Sequence, residues 1–422
     1  MNRYEFYENT GLDWVPEIPK HWSLTRSKFI FRNKSVKNCP DEPLLSVTQK
    51  DGVVLRSESD LNVWNPTEDV SGYKLIEPSN FVISLRSFEG GLELSTVKGI
   101  VSPAYTVLEK TRKINDPYFR WLMKSHQFII ELNKHVTGIR QGKNIGWDDF
   151  SNIYLTVPPI EEQKLISRYL DKKTRQIDSL VEKIQKKIEL LKEQRSSLIN
   201  HYVTKGLDPN VEMKDSGVEW IGEIPKHWEV KPLFCLFSEN KVKNKDGSLD
   251  ILTLSYGKIK YRDLTKLEGL LPESFDGYQV MELQSIIIRS TDLQNDQKSL
   301  RVGHVGINGV ITSAYLGLNP IKNVDTKFYY YSIHLADLKK VLYGLGGGLR
   351  QSLRFDDFKR FPILNPPQKE REDISRKLDN TDRKVNELLS KLEKRIGLLN
   401  EYRQSLISSI VTGKVRVTED MI

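Results

Sequence analysis

Glu17-Ile-Pro-Lys-His-Trp22 returns unchanged as Glu223-Ile-Pro-Lys-His-Trp228, and the match extends upstream, with Gly11-Leu-Asp-Trp-Val-Pro16 opposite Gly217-Val-Glu-Trp-Ile-Gly222. The spacing is 206 residues. A second pair, Ile166-Ser-Arg-Tyr-Leu-Asp171 and Ile374-Ser-Arg-Lys-Leu-Asp379, recurs at 208, as do Ser197-Leu-Ile199 and Ser405-Leu-Ile407. Solenoid repeats run to roughly 20 to 50 residues, so each copy here is a domain-sized unit. The 422-residue chain reads as a tandem with internal pseudo-twofold symmetry.

Each copy has the same internal order. An opening segment carries Trp14 and Trp22 (Trp220 and Trp228 in copy two), where Pro16, Pro19 and Pro225 predict an irregular clasp. Short alternating apolar runs such as Asn80–Leu85 and Ser285–Arg289 follow and read as β-strands. Helices are expected around Tyr118–Asn133 and Phe328–Val341, then glycine loops at Gly138–Gly142 and Gly344–Gln351. Each unit is α+β.

After Pro158-Pro159 and Pro366-Pro367 the periodicity turns helical for about 40 residues. Leu170, Ile177, Ile184, Leu191 and Leu198 lie seven apart, with Thr174, Val181, Ile188, Arg195 and Tyr202 as the second seam of a heptad. Copy two repeats the register with Leu378, Val385, Leu392, Leu399 and Leu406, and Asp382, Leu389, Ile396, Arg403 and Ile410 between them. Even the polar exceptions coincide, Thr174 with Asp382 and Arg195 with Arg403. Two matched helices of about 60 Å each find their best partner in one another, as an antiparallel coiled coil. The alternative is that each stripe packs on its own globular unit. The expected organisation is α+β domains at 1–158 and 206–366, long helices at 159–205 and from 367, and a tail reaching 422.

Composition narrows the function. The net charge of +8 favours a polyanionic partner. Cys39 and Cys235 are too few for a disulfide framework or a thiolate zinc site and fit a reduced, cytoplasmic setting. Neither a signal peptide nor a membrane span is expected.

The motifs that invite catalytic readings fail on inspection. Asn365-Pro-Pro-Gln368 lacks the aromatic residue with which amino-methyltransferases stack on a flipped base, and its counterpart in copy one is Val157-Pro-Pro-Ile160. Gly346-Gly-Gly-Leu-Arg350 lacks a Walker Lys-Ser or Lys-Thr. Asp148-Asp149-Phe150 and Asp356-Asp357-Phe358 read as helix caps followed by an apolar anchor. His21 and His227, flanked by Lys and Trp, read as packed or surface residues. What recurs instead is basic and amide residues beside glycine: Arg140 and Gln141 match Arg350 and Gln351, with Lys143 and Arg354 nearby. Arg86 and Arg289 each follow an apolar strand, and Tyr105 matches Tyr315 in related Ser-Pro-Ala-Tyr and Thr-Ser-Ala-Tyr turns. Arg and Gln make bidentate contacts to base edges, and Arg also grips phosphate. These ten residues are the candidate DNA contacts.

The doubled Trp-to-Trp clasp, the variable β-rich domain, the Pro158–Gln163 helix start and the long helix ending near Arg-x-Ser-Leu-Ile together resemble the DNA-specificity subunit of type I restriction-modification enzymes. The resemblance covers nearly the whole chain. Copy two departs at Pro366-Pro-Gln-Lys-Glu-Arg371, which is expected to weaken that helix start slightly. The resemblance implies two target-recognition domains, each reading half of a split, asymmetric site in double-stranded DNA, with the paired helices fixing the unread spacer. It implies two methyltransferase subunits docked on the helices and restriction-translocase subunits joining them. It also implies that S-adenosylmethionine belongs to those methyltransferase partners, with no cofactor, metal or catalytic residue expected in this chain. The rival readings are a methyltransferase and a coiled-coil protein-interaction scaffold that reads no DNA.

Overall fold

The computed structural model describes residues 3–48, 52–58, 69–83, 91–135, 145–245, 250–263, 275–293, 300–322, 325–345 and 352–422. It divides into two compact units, Met1–Ile184 with Glu393–Ile422, and Gln185–Leu392.

In the first unit Tyr7–Leu12 pairs antiparallel with Val15–Pro19. The opening clasp, expected from its prolines to be irregular, is therefore a β-hairpin, whose register shifts between Asn9 and Leu12. A two-stranded ribbon is all edge, so Pro16 and Pro19 remove no interior ladder bond. A four-stranded antiparallel sheet follows in the order Phe31–Lys34, Thr106–Lys110, Phe81–Ile83, Leu92–Leu94. Lys74–Ile76 pairs with Gly99–Val101, Leu45–Thr48 with Gly52–Leu55, and Ser23–Arg26 with Tyr154–Val157.

The helix expected over 118–133 is two helices, α1 (Asp116–Met123) and α2 (His126–Lys134). The Ser125 hydroxyl donates to the Leu122 carbonyl at 2.7 Å, and Ser125 itself is extended, which competes with helix continuation. After α3 (Trp147–Ser151), α4 runs unbroken over Ile160–Lys205.

The second unit repeats the plan. Its sheet order is Phe237–Glu239, Leu316–Pro320, Ile286–Ile288, Val302–His304. Gln279–Met281 pairs with Gly309–Ile311, Leu252–Ser255 with Lys258–Tyr261, Glu229–Pro232 with Pro362–Asn365, and Met213–Asp215 with Glu223–Pro225. Its helices are α5 (Lys327–Leu338), α6 (Phe355–Phe358) and α7 (Gln368–Val411).

The long helices pack antiparallel. In the first unit Ile166, Leu170 and Ile177 of α4 share one core with Leu406, Ile407, Ile410 and Val411 of α7. In the second, Ile199 and Val203 of α4 share a core with Ile374 and Leu378 of α7. Those cores also hold domain residues, among them Tyr118 and Phe119 in the first and Tyr329 and Phe328 in the second. The stripe thus serves both partners, and the two packing alternatives are combined.

Left-handed glycines close both long helices. Gly413 has φ +76°, and a Cβ there would lie 2.3 Å from Pro19 Cδ; Gly206 has φ +78°, with its nearest such contact on Trp228 at 3.2 Å. The repeated Trp-bearing clasp excludes a side chain at Gly413 and crowds one at Gly206.

Candidate nucleic-acid interface

The repeated hexapeptide is a fastener. Trp22 Nε1 donates to Glu162 Oε2 at 3.0 Å, and His21 Nε2 lies 2.6 Å from Glu162 Oε1. Trp228 and His227 make the same contacts to Glu370, at 2.9 and 2.6 Å. Each carboxylate sits in the first turn of its long helix, where the helix dipole favours negative charge. His21 and His227 thus have a specific partner that a packed or surface role did not foresee. The available signal was a Glu retained at the third position after Pro-Pro in both copies.

The altered helix start of copy two is equally well held. Gln163 Nε2 donates to the Pro158 carbonyl at 2.8 Å; Arg371 Nη1 donates to the equivalent Pro366 carbonyl at 2.9 Å. Arg371 also bonds Asn365 Oδ1 at 2.9 Å, where Tyr329 donates its hydroxyl at 2.7 Å. Asn365-Pro-Pro is therefore a strand end wired to a helix start. The second Asp of each acidic pair caps its short helix: Gly146 N donates to Asp149 Oδ2 at 3.2 Å and Arg354 N to Asp357 Oδ2 at 3.3 Å, with Phe150 and Phe358 buried behind them.

In the second unit three candidate segments converge on Ser290. Its carbonyl accepts from Leu353 N at 2.8 Å, beside Arg354, and its hydroxyl donates to the Ala314 carbonyl at 3.1 Å, beside Tyr315. Arg289 adjoins the same turn, and Arg354 is exposed. Tyr315 packs partly buried against Leu252, Met281 and Ile287, and its carbonyl accepts from the buried Gln279 at 2.7 Å. Lys241, Lys243, Gln279, Ser313 and Tyr315 line a cavity of about 340 Å³ on this side.

Tyr105 in the first unit is held likewise. It packs against Leu45, Val53 and Val101, and its carbonyl accepts from Lys74 Nζ at 2.6 Å. Burial, with Lys37 nearby, holds the Lys74 ammonium below its ordinary pKa. Arg86, Arg140, Gln141, Lys143, Arg350 and Gln351 lie outside the described residues.

Burial pushes Glu93 up to about 7 against the opposing pull of Lys124, whose Nζ is 2.6 Å away. Burial pushes His304 and His334 down to about 4. Among the described residues no group of three or more His, Cys, Asp or Glu side chains could hold a metal ion. No helix among them is long and apolar enough to cross a membrane.

A family model described as the type I restriction modification DNA specificity domain matches residues 66–190 and 225–397, well over half of the chain. The chain is 26% identical over 345 residues to the type I restriction enzyme MjaVIII specificity subunit of Methanocaldococcus jannaschii, covering 76% of this chain and 75% of that protein. Among solved structures, a chain from work on complex assembly and conformational transition of the type I R-M system aligns with TM-score 0.68 at 12% identity, covering 94% of this chain and 99% of that one. The HsdS subunit from Thermoanaerobacter tengcongensis aligns with TM-score 0.51 at 13% identity, over 94% and 98%. These structural likenesses concern the fold.

Proposed function

The chain belongs to the type I restriction modification DNA specificity family, and on that premise we propose that it is the address-reading subunit of such a complex. Each α+β domain reads one half of a bipartite site in double-stranded DNA. The halves differ, because the two frames match while their loop sequences do not, so the whole site is asymmetric. The long antiparallel helices set the unread spacer.

The observation that carries this reading is the duplication itself: one sheet order and one helix-anchoring clasp occur twice, and Arg140-Gln141 is matched by Arg350-Gln351 while the sequences around them differ. Arg86, Arg140, Gln141, Lys143, Arg289, Arg350, Gln351 and Arg354 are the proposed base and phosphate contacts, on turns that Tyr105 and Tyr315 anchor.

The chemistry resides in partners. Two methyltransferase subunits that bind S-adenosylmethionine and methylate adenine dock along the helices, and restriction-translocase subunits join them, in the cytoplasm. Leu190, Leu388, Leu398 and Tyr402 are exposed apolar residues on α4 and α7, which supports docking there.

Equilibrium DNA binding by the complex at several salt concentrations tests the reading. Arg140→Ala or Arg350→Ala should weaken binding to one half-site only, by about 1 to 3 kcal/mol for a base contact. Equal loss on scrambled DNA would make them phosphate contacts. Absence of salt-sensitive DNA binding would leave the protein-interaction scaffold.

A further inference from the structure

Arg301 is fully buried in the second unit, an unusual place for a guanidinium. Its Nη1 donates to the carbonyls of Arg289 at 3.0 Å and Thr291 at 2.8 Å, and its Nη2 to that of Asp292 at 2.9 Å. Its Nε reaches the Tyr343 hydroxyl at 3.2 Å, with the guanidinium 5.1 Å from the Tyr343 ring centroid. The backbone of Arg301 is fixed as well: its N donates to Asp337 Oδ2 at 2.7 Å, and its carbonyl accepts from Arg289 N at 2.8 Å.

A planar fork of five donors can gather several carbonyls of one turn at once, which a Lys ammonium on its flexible stem cannot match. The turn needs such a hold. Asp292 stands at φ +59°, a left-handed conformation that costs a non-glycine residue energy and persists only where the surroundings impose it.

The turn organised this way is the one on which the candidate contacts converge. Ser290 within it receives Leu353 N, and Tyr343 is tied to it through Arg301. Both described flanks of the glycine segment, at 343 and 353, are thereby referred to residues 289–292.

Among the described residues the first unit shows no counterpart. Ile83 pairs with Leu92 as Ile288 pairs with Val302, so Gly91 holds the place of Arg301. Gly91 has φ +74°, and a Cβ there would lie 2.1 Å from the Met123 carbonyl oxygen, which excludes any side chain.

We infer that Arg301 is a positioning residue for sequence reading by the second unit: it touches no DNA and sets discrimination at one half-site by holding the 289–292 turn and Tyr343 in register. The inference rests on the DNA-reading function proposed above. Its test uses the full chain in complex with its methyltransferase subunits, carrying Arg301→Met or Tyr343→Phe, with the methylated motif mapped and binding measured on single-base variants of each half-site.

Arg301→Met should broaden the bases accepted in one half, lowering discrimination there roughly 10- to 100-fold, while the other half and the salt dependence stay unchanged. Tyr343→Phe, which removes one hydroxyl, should relax the same half by a few fold. Unchanged discrimination in a folded Arg301→Met complex would overturn the inference. So would general loss of methylation by Arg301→Met together with an unaltered motif in Tyr343→Phe, since that marks a purely structural role. Failure of the underlying function would look different, as a wild-type complex with no two-part motif.

Discussion

Glu370 accepts the indole hydrogen of Trp228 at 2.9 Å, across 142 residues of sequence, and Glu162 does the same for Trp22 at 3.0 Å. Trp228 is fully buried, so removing its acceptor leaves a polar N–H without a partner in the core. Glu370→Ala should therefore cost about 1 to 3 kcal/mol in denaturant unfolding, the range for a buried donor left without its partner. A cost near zero would show that the clasp does not fasten the helix.

The polar seam positions should behave as coupled pairs. Arg195 Nη1 lies 3.4 Å from Asn386 Oδ1, and its charge draws down the Asp382 carboxyl that burial raises. Arg195→Leu removes that favourable charge from a carboxyl that also accepts from the Tyr331 hydroxyl at 3.4 Å, and should cost about 1 kcal/mol; Arg195→Leu with Asp382→Leu should recover much of it. Additive losses in the double-mutant cycle would deny the coupling.

Stability should respond to pH in opposite senses through the two units. Glu93 is raised from its ordinary 4.5 to about 7, so its contribution is full below 4.5 and is lost as pH rises through 7. His304 and His334 are lowered from 6.5 to about 4, so the fold retains their full contribution above 6.5 and loses it as pH falls through 4. Each shift corresponds to about 3 kcal/mol. Melting midpoints of Glu93→Gln, relative to the unsubstituted chain, should improve on going from pH 5 to pH 8; a constant difference would contradict the assignment.

Inserting one heptad into both α4 and α7 adds about 10 Å of helix. The spacer accepted by the complex should lengthen by roughly three base pairs, at about 3.4 Å each. An unchanged spacer in the methylated motif would show that the helices do not set it.

Much of this architecture was legible because the chain carries its own comparison. The heptads of α4 and α7 give both helices to within a few residues, since a 3.5-residue apolar period sustained over many turns matches a helix seam and fits neither a strand nor a loop. The hairpin of 7–19 was hidden by its prolines, whose penalty vanishes on an edge. The α1–α2 break turned on one Ser125 hydroxyl that competes locally with the helix. Arg301 left no sequence signal, because a lone arginine in a basic chain reads as surface and only the fold reveals three carbonyls converging on it. The convergence on Ser290 was likewise invisible, although its three segments were each marked by recurrence.

The central claim is that two unlike modules in one chain read the two parts of one address. Genome-wide mapping of methylated adenines, in cells with and without this chain, tests it most directly. The account predicts a motif that depends on the chain, with two different short halves separated by a fixed number of unspecified base pairs. A contiguous or palindromic motif, or methylation indifferent to the chain, would contradict it.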